Sequence, residues 1–207
     1  MTPLAFAGDD GGPAARVTST PRGAEVGRWG MLLFLVNEAT LFACLVSSYF
    51  YLALENATWP PAGIGPPSLT LPLVMTASLL ASSGVLIYAE HQLDRGNQTR
   101  YRCGVVLTVL LGVTFLLLQL KEYAATLGEV SPSASAYGSL LFAITGLHGA
   151  HVAFGLLFLV WSLVAGRKRP SSGARSLTIR NASSYWHFVD GVWLVILTSL
   201  YLSPRWS

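Results

Sequence analysis

Charge is what this chain has least of. Only 11% of its 207 residues are Lys, Arg, Asp or Glu, while 52% are hydrophobic; a soluble domain carries roughly 25% charged residues. That balance excludes an ordinary water-soluble domain. Cysteine is nearly absent too. Cys44 and Cys103 are the only two, and they build neither a disulfide framework nor a CxxC metal or redox motif. No internal repeat is visible, and the polar connections are too short to hold an extramembrane catalytic domain. Residues 1–27 are rich in Gly, Pro and Ala, include Asp9 and Asp10, and contain no apolar core of signal-peptide length. They read as a disordered cytoplasmic tail without a cleaved signal.

What the chain does have is five long apolar runs, at about 29–54, 69–89, 103–120, 137–165 and 184–202. A helix needs about 20 residues to cross the ~30 Å hydrocarbon core. The expected fold is therefore all-α, a polytopic bundle of five transmembrane helices. The first and fourth runs are long enough to tilt or project from the bilayer. Pro72 suits the first turn of the second helix, where its missing N–H costs little. Eleven of the 13 Lys and Arg residues fall in the N-terminal tail and the second and fourth loops; Lys121 and Arg205 lie on the opposite side. The positive-inside rule then puts the N-terminus in the cytoplasm and the C-terminus outside. It also accounts for the formal charge of +3 without invoking nucleic acid.

Against this apolar background a few polar residues stand out. Ionisable side chains inside a span are expensive and mark function or assembly. At ~1.5 Å per residue, Glu38 lies about 13 Å along the first span, and His187 and Asp190 about 5–9 Å along the fifth. His148 and His151 fall near the middle of the fourth, and Glu122 just past the end of the third. On a helical wheel His148 and His151 are about 60° apart. Ala143, Gly146, Gly149, Ala150 and Ala153 form a small-residue side suited to close approach. Leu141, Val152, Leu156, Leu159 and Leu163 form a third side, expected to meet lipid.

Each polar feature has two readings. The His148/His151 spacing puts both imidazoles on one face, as metal ligands require. Di-iron bundles need more ligands than this chain supplies, with His91 assigned to a loop and His187 far from the central pair. Histidines hydrogen-bonded across helices explain the pair more simply. Glu38 is either a protonated carboxyl that locks the bundle or a proton-active, lipid-contacting group. His187 and Asp190, at i and i+3, can pair with each other. Lys121 and Glu122 sit where snorkelling is usual, and Trp29, Trp186 and Trp206 suit an interfacial aromatic belt.

Four sequence stretches together carry a family pattern. Tyr185-Trp186-His187-Phe188-Val189-Asp190, followed by Val192-Trp193-Leu194, resembles the signature of subunit III of haem–copper oxidases. Thr145-Gly146-Leu147-His148-Gly149-Ala150-His151-Val152 resembles that family's fourth-span motif. Gln119-Leu120-Lys121-Glu122-Tyr123 resembles its third-span ending. Gly30, Met31 and Phe34 with Glu38 and Phe42 resemble its first span and membrane carboxylate. Asn37 and Gly191 depart from the common choices, which bears on local packing.

The resemblance implies a short, five-helix bacterial form in the cytoplasmic membrane, lacking two N-terminal helices of longer members. It implies no haem, copper or active site on this chain; those belong to the catalytic subunit I, with subunit II in the same complex. Such a subunit holds phospholipid, sustains proton uptake and protects against turnover-linked inactivation. Glu38 matches the family's buried carboxylate, and His148, His151, His187, Asp190 and Glu122 match polar packing positions. Tyr185 and Val189 favour cytochrome c over quinol as electron donor. Related chains accompany quinol oxidases and nitric oxide reductases, and membership of a larger respiratory supercomplex stays open. From the residues alone, a free-standing membrane metalloenzyme or a small proton-coupled transporter is the rival.

Overall fold

The computed structural model describes residues 21–61, 68–133, 135–168 and 173–205, and among them every element is helical. The helices are α1 (Pro21–Glu55), α2 (Thr70–Asp94), α3 (Gln98–Glu129), α4 (Ala136–Lys168) and α5 (Gly173–Ile196). A π-helical stretch, Leu197–Leu202, and a short 3-10 turn, Ser203–Arg205, continue α5. All five helices are long and apolar enough to cross a membrane. Each of them outruns its apolar stretch. Hydropathy marks where side chains leave hydrocarbon, whereas the backbone hydrogen-bond ladder continues into the polar zone. Thus α1 begins at Pro21, which takes residues 21–27 out of the expected tail; residues 1–20 lie outside the described segments. His91, expected in a loop, is in the last turn of α2.

α2 and α3 form a tight antiparallel pair. Their connection is closed by Gly96 at φ 79, a left-handed conformation that costs any residue with a Cβ. Gly96 N–H donates to Leu93 O at 2.9 Å, and Asn97 N–H to Gln92 O at 2.8 Å. These two bonds satisfy the last carbonyls of α2 as a Schellman cap. Further along the pair, a Cβ on Gly104 would stand 2.6 Å from Ala89 Cβ. Two small residues set the closeness of this contact.

α5 is the central helix, packed on α1, α2 and α4. In its most apolar window 61% of residues are buried, against 6% for α1. Trp186 and Trp193 are the largest fully buried side chains. Trp186 Nε1–H donates to Ser82 Oγ at 3.0 Å, and Trp193 Nε1–H to Thr76 Oγ1 at 2.9 Å. Trp186 therefore belongs to the core and not to the interfacial belt expected for it. Gly112 and Gly155 leave the room its ring needs. Trp29 is exposed, as a belt residue is, and Trp206 lies outside the described residues.

The wheel of α4 needs a second correction. Leu141, Val152, Leu156 and Leu159 are buried in the protein, and Leu163 is half-buried. The exposed face carries Phe154, Leu157, Val160, Trp161 and Val164. Both faces are apolar, so hydropathy alone does not tell lipid from a neighbouring helix. Of the small-residue side, Gly146 and Gly149 meet Tyr123 and Gln119 of α3, whereas Ala143 and Ala150 are exposed.

The α2–α3 contact yields a paired test. Gly104→Ala should destabilise the protein by roughly 1–3 kcal/mol through overpacking. Gly84→Ala, whose Cβ meets nothing within 4 Å, should be neutral or slightly stabilising. Thermal unfolding in mild detergent compares them, and equal midpoints would refute the close-contact account.

Candidate functional site

Two groups of polar residues inside the bundle lie beside α5. The first joins α1 to α4. His151 Nε2 lies 2.9 Å from Glu38 Oε2, and His151 Nδ1 lies 2.7 Å from its own helix's Leu147 O. A carbonyl only accepts, so Nδ1 carries a hydrogen. The proton between Nε2 and Oε2 then has two places to reside. On Oε2 it gives a carboxylic acid donating to a neutral ring; on Nε2 it gives an imidazolium–carboxylate pair. Neither state requires the ring to turn. Both side chains are largely buried, at 14% and 17% exposure. Phe42 covers the pair edge-on, with its ring centroid 5.1 Å from that of His151. Tyr185 O–H donates to His151 O at 3.3 Å.

His148 points elsewhere. It is fully buried, stacked on Trp193 at 5.2 Å and met edge-on by Phe115 at 5.7 Å. Neither ring nitrogen has a hydrogen-bond partner among the described residues. The expected cross-helix hydrogen bond is therefore made by His151, while aromatic contacts hold His148. The two histidines do not converge on one point. Among the described residues no group of three or more His, Cys, Asp or Glu is placed to hold a metal ion.

The second group joins α5 to α2. The i, i+3 spacing of His187 and Asp190 would allow them to pair with each other, but both turn to Ser83. Ser83 Oγ lies 2.8 Å from His187 Nδ1, and its O–H donates to Asp190 Oδ2. A hydroxyl can accept one bond while donating another, which lets a single serine serve both. Sequence reasoning misses Ser83 because a lone serine in an apolar helix is ordinarily bonded to its own backbone. Thr76 and Ser82, which receive the two tryptophans, escape notice for the same reason.

Glu122 is buried and not snorkelling. α3 continues past it to Glu129, which brings it within electrostatic reach of Tyr201. Lys121 is exposed, and for it the interfacial reading stands. Nearby, Gln119 Nε2 donates to Thr145 O at 2.6 Å, and Tyr123 OH lies 2.9 Å from Thr145 Oγ1. These bonds tie α3 to α4 beside Gly146 and Gly149.

The junction of α1 and α5 forms a trough that holds two separate cavities. The one at the Arg-rich end, bordered also by α2, is about 720 Å³, with Arg28, Arg180, Glu25, Glu90, Trp29 and His187 in its wall. Further along the same two helices lies an apolar cavity of about 540 Å³, lined by Phe42, Val46, Phe188 and Val195. Gly191 is in that wall too, and a Cβ there would meet open space. The first cavity thus has charged walls and the second apolar ones.

Comparison with known proteins agrees with the motifs. Residues 18–206 match the sequence model of the family described as cytochrome c oxidase subunit III. Cytochrome c oxidase subunit 3 of Rattus norvegicus is 38% identical over 180 residues, which is 84% of this chain and 68% of the relative. The proteins of the same name from Petromyzon marinus and Locusta migratoria are each 37% identical over the same shares. A match across nearly all the described helices, together with the buried motifs, decides the family: this chain belongs to cytochrome c oxidase subunit III, a membrane subunit of a haem–copper oxidase.

Proposed function

We infer that the chain is an accessory subunit without redox centres of its own, seated on catalytic subunit I beside subunit II. In this reading haem and copper reside on those partners. The chain stabilises the catalytic subunit, holds phospholipid and supports proton uptake. The observation that carries the reading is the Glu38–His151 pair, a largely buried carboxyl whose proton has a defined second seat 2.9 Å away. In such a pair the shared proton can move from one side chain to the other without rearranging the helices around it.

The trough supports the lipid role. A phospholipid has a charged head and apolar tails, and the wall supplies Arg28 and Arg180 at one end and Phe42, Val46 and Val195 further in. Guanidinium groups suit bidentate phosphate recognition. We place the Arg-rich end in the cytoplasm by the bias of basic loops. The bacterial cytoplasmic membrane follows from the resemblance to the short five-span form; the relatives named above are animal proteins.

Three outcomes test this reading. Glu38→Gln keeps the size of the side chain and should assemble, yet lose oxidase activity several-fold faster during sustained turnover. Decay at the wild-type rate would return Glu38 to a packing role. Arg28→Gln combined with Arg180→Gln should lower the phospholipid that copurifies with the complex, read by phosphorus content per haem. Unchanged phosphorus would remove the trough from the lipid account. His148→Ala empties a fully buried site between Phe115 and Trp193, at a cost of about 2–5 kcal/mol. The chain should then be recovered poorly with the complex while the surviving haem spectrum is unchanged. Altered haem bands would contradict the packing role.

A further inference from the structure

Asp190 is almost enclosed by protein, and its Oδ1 has no hydrogen-bond partner among the described residues. Its other oxygen, Oδ2, accepts the hydroxyl of Ser83. The hydrogen-bonded way off this carboxyl therefore runs through Ser83. The same hydroxyl oxygen meets His187 Nδ1 at 2.8 Å. With Nδ1 engaged, His187 has Nε2 left, and the residue lines the charged cavity at the Arg-rich end. A continuous sequence of exchangeable groups thus leads from that cavity to a buried acid: His187, then Ser83, then Asp190.

We propose that Asp190 is a proton-exchange site of this subunit, reached from the Arg-rich end through His187 and Ser83. The transfer balances within the three residues. A proton from cavity water binds His187 Nε2, the Nδ1 proton passes to Ser83 Oγ, and the original Ser83 proton passes to Asp190 Oδ2. The ring ends neutral in its other tautomer, Ser83 again carries one proton, and Asp190 has gained one. The reverse sequence releases it. The contact between α2 and α5 is kept in both states, because the bonds only change direction. Before uptake Ser83 donates to Asp190 and accepts from His187; afterwards Asp190 donates to Ser83, which donates to Nδ1.

The charges facing the entrance come from three helices. α1 supplies Glu25 and Arg28, α2 supplies Glu90, and α5 supplies Arg180. The α4 histidines are turned away, His148 to Trp193 and His151 to Glu38. The site is therefore separate from the Glu38 pair, and its test does not depend on the role assigned to that residue.

The experiment is infrared spectroscopy of the intact oxidase complex during exchange from H2O to D2O. The carboxylic C=O band of Asp190 is identified by its loss in Asp190→Asn. In the wild-type complex this band should shift promptly after exchange. Ser83→Ala should slow the shift by an order of magnitude or more, and Ser83→Thr should restore it by keeping the hydroxyl. His187→Phe, which leaves Ser83 in place, should slow it as Ser83→Ala does, and it decides the matter if the serine variant assembles poorly. An equal exchange rate in wild type and either relay variant would overturn the proposal. So would the lack of any protonated Asp190 band across the pH range in which the complex is stable.

Discussion

The seam between α2 and α5 governs this structure. In a bilayer, apolar helix faces gain little from leaving lipid for one another, so small residues and directed polar contacts fix the packing. α2 offers Thr76, Ser82 and Ser83, and α5 answers with Trp193, Trp186 and the His187–Asp190 pair. Every one of these hydroxyls meets an N–H or a carboxyl. None of the α5 groups could be placed in hydrocarbon cheaply without that partner. Because the seam fixes the rotation of α5, it also fixes which side Trp193 shows to His148 and which side meets α1.

α1 stands in contrast. Little of its apolar window is buried, and it touches only α4 and α5 to any extent. Its seat depends on a few directed contacts. Glu38 to His151 is one of these, beside Phe34 stacked at 6.1 Å on Tyr185 and Phe42 against His151. In the function proposed for this chain, one carboxyl is both a proton-bearing group and an attachment of a loosely packed helix. Those two roles would be coupled, since the hydrogen bond that helps to locate α1 would be the bond along which the proton is shared. The trough runs along the same junction, so the position of α1 also sets the width of the space next to Arg28 and Val46.

Much of the fold is legible in the amino-acid sequence, for a physical reason. A bilayer demands runs of about 20 apolar residues, and the five spans follow directly. The signature from Tyr185 to Asp190 identifies the family because its aromatic, basic and acidic residues are rare in hydrocarbon. Where legibility ends is equally physical. Hydropathy misplaces the helix ends because backbone hydrogen bonding is indifferent to the edge of the hydrocarbon. It assigns Leu141, Val152, Leu156 and Leu159 to lipid because a leucine facing lipid and one facing another helix satisfy the same pattern. The wheel puts His148 and His151 on neighbouring bearings but does not name what stands there. One meets a carboxyl group and the other an indole ring. Ser83 is invisible because its significance lies wholly in two partners more than a hundred positions away.

Glu38 and Asp190 show how a nearly chargeless chain treats its few ionisable groups. Glu38 is given a base as its direct partner, with the far nitrogen of that base fixed by Leu147 O. Its proton can cross one hydrogen bond and stay within the pair. Asp190 is given a hydroxyl, which takes up no extra proton and only passes one along as it gives up its own. Its exchange therefore depends on the next group, His187, and on the cavity that His187 borders. The first arrangement holds a proton locally, and the second links an acid to the charged cavity. Similar costs of burial have been met by different chemistry at the two sites. What distinguishes the sites is the identity of the nearest polar atom, and no measure of hydropathy contains that information.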